Sequence, residues 1–209
     1  LMAITTYTEL KTAVDNWLAR TDLSGRSPEF ITLAEGRMNR ELETRSQEKR
    51  VTASTVADDA YVSLPTDVRR VRHVRLNTNP KTILKFLTPE ALDAEYPSTG
   101  TGKPRAYSVI GTEILFAPAP DAVYEAEIAY IADIDALGDS TATNNILSRH
   151  PDVYLHGALT EAFTYLMDDG RATRHDQLFT RAVAAIKSDE DRAKYGGSPT
   201  IRTGYGEVR

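Results

Sequence analysis

The stretch Tyr124-Glu125-Ala126-Glu127-Ile128-Ala129-Tyr130 alternates with a period of two. Tyr124, Ala126, Ile128 and Tyr130 fall on one face, and Glu125 and Glu127 on the other. That is the pattern of a strand with one side against a core and the other toward water. Upstream of it the same period recurs. Residues 105–110 and 113–117 flank Gly111-Thr112, a two-residue connection suited to a tight hairpin. Residues 83–87 and 71–76 are strands separated by the turn Asn77-Thr78-Asn79-Pro80. Residues 50–56 and 61–64, on either side of Asp58-Asp59, are expected to form a further hairpin. A short helix opened by Thr88-Pro89-Glu90 and reaching Tyr96 interrupts this series of about six strands.

Outside this region the period changes to that of helices. Thr6-Tyr7-Thr8-Glu9 matches a capping box, in which the Thr hydroxyl and the Glu carboxylate each satisfy a backbone N–H. Leu10, Val14, Trp17 and Leu18 then form one apolar stripe, and the helix is expected to end near Arg20. Ser27 is the expected N-cap of a second helix, with Pro28 at its first position. This helix buries Phe30, Ile31, Ala34, Met38 and Leu42 and turns Glu35, Arg37, Arg40, Glu41 and Glu43 the other way. Near the C-terminus, Val153, Leu155, Leu159, Ala162, Phe163 and Leu166 mark a helix entered at Pro151 and ended before Gly170. Leu178, Phe179, Ala182, Val183 and Ile186 mark another, stopped by Gly196-Gly197. Helices and strands segregated in this way give an α+β fold: a helical body of about four long helices with an inserted antiparallel β-rich lobe. The expected divisions are residues 1–45 (helical hairpin), 46–146 (lobe), 147–195 (C-terminal helices) and 196–209 (tail).

The 209 residues suffice for a sizeable core. With 41% hydrophobic and 26% charged residues the chain is of ordinary globular composition. It has no cysteine, which excludes disulfides, thiolate catalysis and cysteine-ligated zinc. No run approaches the roughly 20 apolar residues that span a bilayer. A net charge of −5 leaves the chain without the overall basic footprint of a protein that grips nucleic acid.

Motifs for catalysis are weak. Ser98-Thr99-Gly100-Thr101-Gly102-Lys103 has Pro97 and Pro104 where a phosphate-binding loop needs Gly and Ser or Thr. Asp133, Asp135 and Gly138 begin like a calcium loop, but Leu137 and Asn144 stand at ligand positions. His73, His150, His156 and His175 include no i, i+4 pair. No catalytic residue, cofactor or metal is therefore expected. Arg69, Arg70, Arg72, His73 and Arg75 form the one strong local charge feature. They are either a patch for DNA or an acidic partner, or, as is favoured, a solvated strand paired with acidic residues such as Glu125 and Glu127.

Several segments occur in an order that resembles the head–tail adaptor (connector) proteins of tailed bacteriophages. They are Met2-Ala3-Ile4-Thr5-Thr6-Tyr7-Thr8-Glu9-Leu10-Lys11 with Trp17-Leu18-Ala19-Arg20, and Pro28-Glu29-Phe30-Ile31 leading to Met38-Asn39-Arg40-Glu41-Leu42. Tyr61-Val62-Ser63-Leu64-Pro65, Leu87-Thr88-Pro89-Glu90, Ala117-Pro118-Ala119-Pro120 and His150-Pro151-Asp152-Val153-Tyr154 follow in the same succession. The resemblance covers residues 2 to about 195 and is similar to the podovirus tail accessory factors. It implies a structural, non-enzymatic virion protein of the head–tail neck, assembled in the host bacterial cytoplasm. Such a protein docks on the portal as a dodecameric homo-oligomeric ring, extends the DNA channel without specific DNA binding and supports the tail nozzle or tube. Because some relatives have been credited with cell-wall hydrolysis, a particle-associated peptidoglycan hydrolase is the alternative, together with a generic nucleic-acid- or protein-binding module. The glycine-punctuated tail from Gly196 is either a docking segment or a frayed terminus. Ile201, Arg202, Tyr205 and Arg209 within it join Arg69, Arg70, Arg72 and Arg75 as candidate partner contacts. Tyr7, Tyr154 and Tyr165 are either interface anchors or, more in keeping with their spacing, core residues.

Overall fold

A computed structural model describes residues 4–194, apart from residues 21, 24, 98 and 99. The fold is α+β, as expected. The chain divides into two compact units, residues 46–134 and the remainder.

In the helical unit, α1 (Tyr7–Leu18) opens with the expected capping box. The Thr6 hydroxyl accepts from the Glu9 backbone N–H, and the Glu9 carboxylate accepts from the Thr6 N–H. The helix stops at Ala19, in the left-handed region, one residue before the expected end. α2 (Ser27–Glu41) buries Phe30, Ile31, Ala34 and Met38. Ser27 is not its N-cap. It lies inside the first turn, fully buried, and its hydroxyl donates to Asp15 of α1, so it links the two helices. Glu35 is also buried, contrary to expectation.

A short α4 (Asn145–Arg149) precedes α5 (Pro151–Tyr165), and α6 (Asp169–Lys194) follows. Helices α1, α2, α5 and α6, of 12, 15, 15 and 26 residues, are the long ones. Buried residues run round α5, from Val153, Tyr154 and Leu155 through Gly157, Ala158 and Leu159 to Ala162 and Phe163. A helix apolar on all sides must be covered on all sides, and α5 packs against α1, α2 and α6. α5 ends before Gly170, as expected, and the break between α5 and α6 falls at Met167, in the left-handed region. Asp168 supplies the start of α6, its carboxylate accepting from the Arg171 N–H at 3.1 Å, so Gly170 sits within the first turn.

The β-rich unit contains β1 (Glu48–Ser54), β2 (Tyr61–Ser63), β3 (Val68–Leu76), β4 (Thr82–Ile83), β5 (Lys85–Phe86), α3 (Pro89–Glu95), β6 (Ala106–Ile110), β7 (Glu113–Ala117) and β8 (Glu125–Ala132). They make two four-stranded sheets, ordered β1-β8-β3-β4 and β2-β7-β6-β5. Val74, Leu76, Ala126, Ile128, Tyr130 and Ala132 from the first sheet and Tyr107, Ile114 and Phe116 from the second form one core. The alternating stretch that led the sequence reading is therefore a central strand, with Ala126, Ile128 and Tyr130 inward as expected. The 105–117 hairpin is also present, and Gly111 takes the left-handed conformation (φ 59°) that its turn requires.

Three expectations about the strands are corrected. Residues 50–56 and 61–64 do not form a hairpin. β1 pairs with β8 and β2 with β7, so the chain changes sheets at the Asp58 turn. This pairing puts Val51 opposite Ile128 and Val62 opposite Ile114, so both strands reach apolar partners. The expected single strand 83–87 is divided at buried Leu84 into β4 and β5, which belong to different sheets. The lobe is not wholly antiparallel, because β5 pairs with β6 in parallel.

Candidate interaction surface

The basic cluster lies on β3, whose apolar residues Val68, Val71, Val74 and Leu76 are spaced by three, three and two. A regular strand would turn Val71 to the face opposite the other three. Two register shifts against β8, at Val68/Arg70 and at Val71/His73, prevent this. Each inserts one residue, so Val68, Val71, Val74 and Leu76 sit opposite Ala132, Tyr130, Ile128 and Ala126 on the core side. The remaining register positions place Arg70 opposite Ile131, His73 opposite Ala129 and Arg75 opposite Glu127, with Arg69 and Arg72 as the inserted residues. The bulges thus gather four arginines and a histidine on the side of one strand away from its core.

Acidic side chains meet this charge at Arg72 and Arg75. Arg75 Nη2 donates to Glu127 at 2.8 Å, and Arg50 lies 3.9 Å from the same carboxylate. The Arg75 hydrogen bond lowers the Glu127 pKa, burial opposes it, and the charges of Arg75, Arg50 and Lys81 add to the lowering. Arg72 pairs with Glu48 of β1, and Asn77 donates to Glu125 at 3.1 Å. Arg70, Arg72 and His73 are exposed, while Arg69 and Arg75 are half-buried. Ile201, Arg202, Tyr205 and Arg209 lie outside the described residues.

The family model for the SU10 adaptor protein matches residues 5–203. The chain belongs to this family. No curated protein matches it. The adaptor is accordingly a structural component of a phage particle. No helix among its described residues is long and apolar enough to cross a membrane.

Other side chains singled out in the sequence of the adaptor have local structural partners. Lys103 donates to the hydroxyls of Thr78 at 3.0 Å and Thr82 at 2.9 Å, fastening its loop to the β3–β4 turn. Asn144 caps α4 through the Leu147 N–H and donates to the Asp135 carbonyl and to Tyr154 Oη. Among the described residues no group of three His, Cys, Asp or Glu side chains is placed to hold a metal ion. Tyr7 and Tyr154 are buried, whereas Tyr165 is exposed with the Arg26 guanidinium 5.0 Å from its ring centre. A cleft of about 160 Å³ in the β-rich unit is lined chiefly by Leu92, Tyr96, Leu115, Phe116 and Pro118, with Asp93 its charged residue among those described.

Sequence reasoning missed two features. Trp17, expected in the apolar stripe of α1, is 54% exposed. His156 and His175, 19 residues apart on neighbouring helices, bring their Nδ1 atoms to 3.2 Å. Pair spacing within one helix could not reveal the latter. The hint was that each lies on the same helical face as apolar residues, Leu159 and Phe163 for the first and Phe179 for the second.

Proposed function

We propose that the chain is the repeating subunit of a dodecameric head–tail adaptor ring. The ring docks on the portal, prolongs the DNA channel and carries the tail nozzle or tube. The observation that carries this reading is the family match from residue 5 to 203, which takes in both the helical and the β-rich unit. A closed ring requires a heterologous contact, one face of each subunit meeting a different face of the next. The net charge of −5 disfavours strong phosphate gripping by a channel through which duplex must slide.

Arginines of β3 that pair with acidic side chains of the same sheet support a contact with a protein partner more than a grip on DNA. Arg70→Glu combined with Arg72→Glu is expected to leave the thermal melt within a few degrees of the parent and to weaken assembly on the portal, read by sedimentation of the mixture. Unchanged assembly by the double variant would remove β3 from the interface. The functional reading itself is tested by electron microscopy of particles assembled without this chain. Heads lacking tails are expected, and normally tailed particles would contradict the role.

A further inference from the structure

We propose that His156 and His175 form a proton-operated latch between α5 and α6, closed while their Nδ1 atoms share one hydrogen and opened when both carry one. The distance of 3.2 Å between these atoms is that of a hydrogen bond. One ring must therefore donate Nδ1–H and the other present a bare Nδ1. A first added proton goes to Nε2 of the donor ring and leaves the bond in place. A second can go only to the bare Nδ1. It removes the acceptor lone pair and leaves two positive rings 5.3 Å apart between centroids.

The surroundings make that second proton costly to the closed arrangement. His175 is buried, and the Phe163 ring stacks on it at 5.3 Å between centroids with 16° between planes. Trp17 of α1 stands edge-on to both imidazoles, 5.9 Å from each. The charges that act on the pair come from Asp152 on α5, which favours a charged His156, and from Arg174 on α6, which disfavours a charged His175. Arg171 of α6 lies over the Phe163 ring at 5.5 Å, and α1 faces the pair with the uncharged indole of Trp17. Burial lowers the pKa of both imidazoles, reinforced at His175 by His156 and Arg174. Among the described residues no third ligand is placed to make the pair a metal site.

The sign of the pH response follows. Histidines depressed in the native state bind fewer protons than the unfolded chain once the pH drops below the ordinary value of 6.5. Stability from the closed pair is therefore complete above that value and is lost as pH falls through the depressed native range.

Trp17 is the chain's single tryptophan, so the protein carries its own reporter. Emission of the full chain should be steady near neutrality and fall as imidazolium forms beside the indole, with a midpoint below 6.5. The melting temperature should drop over the same window by roughly 3 °C or more. The double variant His156→Gln/His175→Gln should abolish the emission step, whereas each single variant keeps one imidazole 5.9 Å from the indole and should retain a step of altered midpoint. A parent flat down to about pH 4.5, or the same step in the double variant, would overturn the latch. Nitrogen-edited spectra of the unsubstituted protein at neutral pH give an independent check. One imidazole should carry its hydrogen on Nδ1 and the other on Nε2, and two Nε2-protonated rings would overturn the proposal.

Discussion

Gly157→Leu is expected to lower the unfolding free energy by about 3 kcal/mol, which in a chain of this size is a fall in melting temperature of roughly 6–12 °C. Gly157 lies on central α5, where α2 and α6 approach from two sides. A Cβ added there would stand 3.0 Å from the Ala34 Cβ and 3.2 Å from the Phe179 ring. Neither neighbour can easily give way. Ala34 has no flexible side chain, and Phe179 is fully buried with the Arg37 guanidinium 4.2 Å from its ring centre. Arg37 is held in turn by Glu41 at 3.0 Å and Asp176 at 2.6 Å. A whole leucine must therefore push the helices apart or turn Phe179 out of its rotamer. Gly157→Ala should be milder, because the helix preference of alanine over glycine, about 1 kcal/mol, offsets part of the overlap. Thermal melts of the two variants and the parent give the ranking. A leucine variant as stable as the parent would show that α5 is not tightly enclosed.

The second large effect concerns Glu35. Its Oε1 accepts from the Leu137 backbone N–H at 2.8 Å and from Tyr154 Oη at 3.1 Å, and Tyr154 Oη accepts from Asn144 at 2.6 Å. This network ties the segment after Ile134 to α2 and α5. Glu35→Ala leaves the Leu137 N–H and the Tyr154 hydroxyl without their acceptor, and should cost about 3 kcal/mol. Glu35→Gln keeps an acceptor in place and should cost far less. Burial raises the Glu35 pKa above 4.5, and the two hydrogen bonds only partly oppose it. The native state then holds this proton more tightly than the unfolded chain. The stability it contributes is full below about 4.5 and is lost as pH rises through the raised native value. Glutamine does not titrate, so the Gln variant should gain on the parent across that window, as read from denaturant midpoints at a series of pH values. A Gln variant that falls behind as pH rises would contradict the account of the network.

Much of the architecture could be read from periodicity. The capping box at Thr6, the apolar face of α2, the hairpin at Gly111 and the central strand β8 each rest on contacts close in sequence or on a regular repeat. What escaped depends on partners distant in sequence. Glu35 falls on the polar side of a helical wheel, and only the return of residues 135–154 makes that side interior. Ser27 reads as a cap because nothing local shows Asp15 waiting on α1. The spacing of Val68, Val71, Val74 and Leu76 fits neither regular period, and two bulges reconcile it with a strand. The same bulges place the arginines together, so the cluster was visible in sequence and the device that assembles it was not. Trp17 looked like core because its position continues the stripe, although its ring lies at an exposed edge beside two histidines.

In the proposed role, identical copies of this chain join around the portal. Mass measurement of the complex formed when the purified chain is mixed with the portal ring of its phage tests this directly. A closed assembly with one adaptor per portal subunit is expected, even if the chain alone is monomeric. A portal that remains bare at saturating chain concentration would contradict it.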